Sequence, residues 1–184
     1  MGLVREPAPV KLLFGLLGRP EGLAEGRALI TAEFGELELT SELFSFQHTD
    51  YYRKEMGSGL SRQFVVLAGA SDPGVLPEIK NATNEFEMSL SSDGARRVNI
   101  DPGYLNESRL VLATTKDYSH RLYLGQGIYG EITLSYRGGR FRPAEYTYPD
   151  YCSGEYLDFF EQVRQGFRIY LERPGYIASG KEVP

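Results

Sequence analysis

Apolar positions recur along this chain with two periods, and the period changes at glycines and prolines. Val10 to Leu17 (V-K-L-L-F-G-L-L) is short, apolar and followed by G-R-P, which predicts a buried strand. Pro20 to Phe34 predicts a helix, with proline in the first turn and Leu23, Gly26, Ile30 and Phe34 on one face. Gly35 ends it in the manner of a C-cap. Glu36 to Phe46 reads as a strand with a bulge near Ser41, Gln47 to Gly59 as a polar connection, and Leu60 to Ala68 as another strand. Asp72-Pro73 reads as an N-cap and N1 proline. Leu76, Ile79, Thr83, Phe86 and Leu90 follow at helical spacing, and Ala95 to Ile100 predicts a further strand, closed by a Pro102-Gly103 turn.

This order is β-α-β-β-α-β, the ferredoxin-like order, with two helices on one face of an antiparallel sheet. The expected fold class is therefore α+β: a ferredoxin-like core, a C-terminal antiparallel β extension and a final helix. In the extension Arg109 to Thr115 alternates, and Arg121 to Leu124 pairs with Ile128 to Tyr136 across Gly125-Gln126-Gly127. Strict alternation there would put Ile128, Ile132 and Leu134 on one face, and Tyr129, Glu131 and Thr133 on the other. Gly138-Gly139 turns the chain into Phe141, and Ser153 or Gly154 opens the last helix. The expected organisation is a single domain over 1–173, with a loose tail over 174–184.

Composition narrows the function classes. The chain has 184 residues, 41% of them hydrophobic, which suffices for a core. No apolar run approaches the roughly 18–20 residues that span a membrane, and the N-terminus lacks a secretory pattern, so the expectation is a cytoplasmic protein without a membrane partner. Cys152 is the single cysteine and excludes an internal disulfide or a cysteine metal cage. A net charge of −5 argues against nucleic acid as a partner. The charge is uneven, however: residues 1–94 hold 8 Lys/Arg against 14 Asp/Glu, whereas residues 95–142 hold 8 against 4. The second segment has the excess that attracts a phosphate or carboxylate.

Candidate chemistry is densest between Asn99 and Tyr151, and nine of the thirteen tyrosines fall between Tyr104 and Tyr156. Asp-Tyr occurs in three loops: T-D-Y-Y (49–52), T-K-D-Y (115–118) and Y-P-D-Y (148–151). Each aspartate is able simply to cap its own turn; three such loops meeting at one end of the sheet would instead form a polar pocket with aromatic walls. Lys116 and Arg121 suit an anion, and His120 suits proton transfer with Asp117 orienting it. Asp101 stands at the end of a strand. A metal held by Asp50, Glu55, Asp101 and Asp117 would be Mg²⁺ or Mn²⁺ rather than Zn²⁺.

Several stronger motifs are missing: there is no P-loop, no G-x-S-x-G elbow, and Thr115-Lys116-Asp117 is one residue short of the guanine-reading T-K-x-D. His48 and His120 do not match the paired H-x-T/S of two-histidine phosphoesterases. The stretches F-x-F-x-x-T-D-Y-Y-x-x-E-M-G, R-R-V-N-I-D-P-G-Y-L, L-V-L-A-T-T-K-D-Y-S-H-R-L-Y-L and T-Y-P-D-Y together resemble the bacterial domain-of-unknown-function family numbered forty-four-sixteen. Some members carry a GTP-binding label, for which this chain has no guanine-nucleotide motif. The resemblance implies a shared site at Asp50, Tyr51, Tyr52, Glu55, Asp101, Lys116, Asp117, His120, Arg121 and Asp150.

Two readings follow. In the first, the protein binds a small anionic metabolite or nucleotide: Lys116 and Arg121 on the anion, Tyr51, Tyr118 or Tyr151 against a ring, and His120 with Asp117 as the catalytic pair if the site turns over. In the second, it is a non-catalytic interaction protein whose aromatic-rich sheet forms a homo-oligomer or partner surface.

Overall fold

The computed structural model describes residues 2–47 and 52–173; Asp50, Tyr51 and the tail from Pro174 lie outside them. Nine strands make one antiparallel sheet: β1 (Lys11–Gly18), β2 (Leu37–Thr40), β3 (Phe44–Ser45), β4 (Ser61–Leu67), β5 (Val98–Leu105), β6 (Arg109–Thr114), β7 (Leu122–Gly125), β8 (Ile128–Arg137) and β9 (Arg140–Pro143). Its order is β2-β4-β1-β5-β6-β8-β7, with β3 on β4 and β9 on β8. Three long helices, α1 (Pro20–Phe34), α3 (Leu76–Ser89) and α4 (Gly154–Leu171), accompany the one-turn α2 (Arg53–Met56). The protein is thus a mixed α/β molecule, and its sheet is larger than the four-strand core expected from the sequence.

Alternation along β1 explains the layers. Leu12, Phe14 and Leu16 face α1 and α3 in a cluster with Leu23, Ile30, Ile79, Val98 and Ile100. Leu13 points the other way, into a cluster with Phe64, Leu110, Leu134 and the inner side of α4. Both faces are covered, so all eight residues of β1 are buried. Phe64 is the hub of the second layer: the rings of Tyr156, Phe160, Phe159 and Tyr151 stand 4.8, 4.9, 5.6 and 5.8 Å from it. Ser153 caps α4 by accepting from the Tyr156 N–H.

Three expectations are corrected. The strand expected over Glu36 to Phe46 is two short strands, interrupted where the bulge was expected: Ser41 donates its N–H to the Phe64 carbonyl at 2.8 Å, but its Oγ rather than its carbonyl accepts from the Phe64 N–H, at 2.9 Å. Pro102-Gly103 is not a turn but lies inside β5, opposite Phe14 and Leu13. A proline is tolerated there because β6 joins β5 only from Gly103 onward, so its missing N–H faces no partner. Gly103 is then needed, since a Cβ would stand 2.4 Å from the Val111 carbonyl. Finally, a bulge at Thr133 pairs Ile132 with Val111 and Leu134 with Leu110, which sends Ile132 and Leu134 to opposite faces.

Candidate functional site

Arg62 is a charged residue at an inward position of a buried strand, and it organises the polar end of the α4-side layer. Its guanidinium donates to Asp101 at 3.0 Å and Asp150 at 3.3 Å, and approaches the Gly15 carbonyl at 3.4 Å. Arg62 and Asp150 are buried, and the Asp101 side chain is 27% exposed. Gly15 is what makes room: a Cβ would meet the Tyr151 hydroxyl at 3.0 Å and the Phe64 ring at 3.1 Å. Phe46 lies over the guanidinium at 5.6 Å, and the Tyr52 ring stands 6.1 Å from Phe46. Arg62 Nε and the Tyr151 and Tyr156 hydroxyls are buried without a hydrogen-bond partner among the described residues.

A chain of bonds runs outward from this cluster. Asn99 donates to Asp101 at 2.9 Å and accepts from Arg96 at 2.8 Å. Arg96 holds Glu55 with two parallel bonds of 2.8 Å, the fork geometry that suits a carboxylate. Glu87 accepts from the Ile100 N–H and from Arg96, with Lys80 at 3.9 Å.

The charges set the protonation states. Burial opposes the charge on Asp101, but Arg62 and Lys80 outweigh it and hold the carboxyl below its ordinary range. The hydrogen bond from Arg96 lowers Glu55 in the same direction, whereas burial raises Glu87. Burial pushes the Tyr52, Tyr151 and Tyr156 phenols up, so they act as neutral hydrogen-bonding groups.

Beside this network opens a cleft of about 650 Å³, lined in part by Arg19, Glu21, Glu55, Asp93, Arg96 and Arg97. It sits at the head of α1, whose N-cap residue Arg19 makes no side-chain capping bond. The first turn is pressed against the neighbouring backbone, with Gly22 leaving no room for a Cβ beside the Arg97 carbonyl. Arg97 pairs with Glu25; Arg19 makes no ion pair among the described residues.

The residues expected from the sequence to share one site therefore fall into two groups. Tyr52, Glu55, Asp101, Asp150 and Tyr151 belong to the Arg62 network. The second group lies around β7 and β8. There Glu131 accepts from Arg121 at 2.9 Å and lies 3.0 Å from His120 Nε2, Arg121 donates to the Lys116 carbonyl, Tyr118 lies 4.5 Å from the Arg121 guanidinium, and Asp117 is beside the Tyr129 hydroxyl. Arg121 is thus spent on internal partners. Asp101 and Glu131 share a sheet face, two strands and two residues apart in register; strand spacing puts their Cα atoms about 12 Å apart. Among the described residues no three His, Cys, Asp or Glu side chains form a metal-holding group.

Sequence reading missed Arg62, Arg96 and Tyr156. The signal for Arg62 was available: it occupies the same face of β4 as Phe64 and Val66, where an apolar residue was due.

Fold and site define a mixed α/β protein with a buried arginine–aspartate network behind a polar cleft. The chain belongs to the family described as domain of unknown function DUF4416, whose model matches residues 8–167. No curated protein and no solved structure matches it.

Proposed function

We propose that the protein binds a small polar metabolite carrying an anionic group, in the cleft at the head of α1. The observation that carries this reading is the cleft itself. Its volume falls within the range of small-molecule sites, about 300–1,000 Å³, and Arg19 stands at the positive end of a 15-residue helix with no ion pair among the described residues. Arg96 and Glu55 line it on the side of the buried network, and the Tyr52 ring lies 5.8 Å from the Arg96 guanidinium. Glu21 and Asp93 offset the arginines, which favours one anionic group accompanied by hydroxyls over a polyphosphate. Glu55 and Asp101 are carboxylates of this network with notable exposure, 32 and 27%. His120 and Asp117 take no part in this cleft, and we assign no turnover to it.

We also read β2-β4-β1-β5, with all neighbours antiparallel and α1 and α3 on one face, as a ferredoxin-like unit extended by β6 to β9. The test of function is a thermal-shift panel of carboxylated, phosphorylated and nucleotide metabolites. A ligand at 100 times its Kd adds about 2.7 kcal/mol, or several degrees at roughly 2–4 °C per kcal/mol. A selective shift lost in Arg19→Gln supports the reading; a flat panel opposes it.

The interaction-protein reading has its own observation. The sheet ends at β7, an open edge where Leu122, Tyr123 and Leu124 are 72, 63 and 42% exposed. A partner strand or a second copy would pair there.

A further inference from the structure

Arg109, Arg137, Arg140 and Arg142 are all exposed, and none makes an ion pair among the described residues. They stand on three neighbouring strands. Arg109 pairs with Ser135, Ser135 with Arg142, and Arg137 with Arg140 two residues further along the same hairpin. Residues opposite each other in a ladder share a face, and so do residues two apart. All four guanidinium groups therefore rise from one side of the sheet, around Ser135. The intervening residues Leu110, Leu134 and Phe141 go to the other side and pack under α4.

The bulge at Thr133 turns Ile132 to the arginine side as well. A pocket of about 280 Å³ results, lined by Ile132, Ser135, Arg137, Arg142 and Tyr146 among others. Tyr146 forms a fixed wall. Its hydroxyl donates to the Ile132 carbonyl at 3.2 Å, and its ring stacks on His120 at 4.2 Å and 12°.

We propose that this face is a second binding site, for a small molecule bearing two or more linked phosphates. Guanidinium forks match phosphate oxygens and remain charged at any physiological pH. Four of them around one hydroxyl, with no carboxylate paired to any among the described residues, make a focus of positive charge on a chain whose net charge is −5. That imbalance decides the class of ligand. A long nucleic acid would extend past the patch over a chain of net negative charge, whereas a compact polyphosphate is held within it. Basic side chains also serve to blunt a sheet edge such as β9, and the experiment separates that role from binding.

The test is calorimetric titration of the full chain with inorganic pyrophosphate and triphosphate at low salt. The expected result is saturable binding that weakens as salt rises. It should weaken about tenfold or more in the double variant Arg137→Gln/Arg142→Gln and be unchanged in Arg19→Gln, which separates this site from the cleft. The chain has two histidines, so the ring-proton signal of His120 is readily followed. It should move on titration, because His120 stacks on the pocket wall. Both arginines are exposed, and an unchanged melting temperature verifies that the variant folds. Absence of saturable binding, equal binding by the double variant, or binding of single-stranded RNA without binding of either polyphosphate would overturn the proposal.

Discussion

Gly15 measures how closely the polar end of the sheet is drawn together. Its missing side chain is the space taken by the Tyr151 hydroxyl, the Phe64 ring and an Arg62 nitrogen, at 3.0, 3.1 and 3.4 Å from where a Cβ would be. Gly15→Ala should cost about 1–3 kcal/mol as overpacking, read as a lower urea midpoint with unchanged slope. Asp101 gives a pH signature. Its folded carboxyl lies below the ordinary range, so the folded state binds fewer protons than the unfolded one. The stabilisation is complete above the unfolded value of about 3.9 and is lost as pH falls through the folded value. Urea midpoints taken from pH 6 to pH 3 should therefore drop more steeply below about pH 4 in the native protein than in Asp101→Asn. Parallel pH profiles would count against the Arg62–Asp101 pairing. The aspartates of this site were legible as polar residues in loops or at a strand end. Their pairing with Arg62 was not, because contacts across 39 and 88 residues leave no local trace.

The strand ends and bulges show what period alone cannot decide. Both α1 and α4 were legible because their apolar spacing, proline or serine start and glycine or charged end agree. Pro-Gly ordinarily signals a turn and so hides the second half of β5, whereas strand pairing on one side only removes the objection to proline. The register of β8 depends on one extra residue at Thr133, and a slip of one reverses every face beyond it. That slip is also what gathers Ile132 and Ser135 beside Arg137. β7 carries the testable consequence at this scale. If the edge pairs with a second copy, Leu122→Lys/Leu124→Lys should turn a dimer into a monomer in light scattering without lowering the melting temperature of the monomer. A native protein that is monomeric at tens of micromolar would remove the dimer reading.

Across the whole molecule, charge is sorted by region. The 95–142 excess seen in the sequence includes the four exposed arginines of β6, β8 and β9, while the Arg62 network and its cleft are close to balanced. Among the described residues the Asp-Tyr stretches do not all meet: Tyr52 and the 148–151 loop stand by the Arg62 network, and the 115–118 loop supports Arg121 near Glu131, while Asp50 and Tyr51 lie outside the described residues. A sequence lists such loops side by side, but only the order of strands tells which ones meet. Among the described residues no helix is long and apolar enough to cross a membrane.

The central claim is the anion-binding cleft at the head of α1. Calorimetric titration of the strongest ligand of the thermal-shift panel into the native protein, Arg19→Gln and Arg142→Gln tests it most directly. One-site binding that weakens about tenfold or more in Arg19→Gln and is unaffected by Arg142→Gln is the result expected. Equal affinity in the native protein and Arg19→Gln would contradict it.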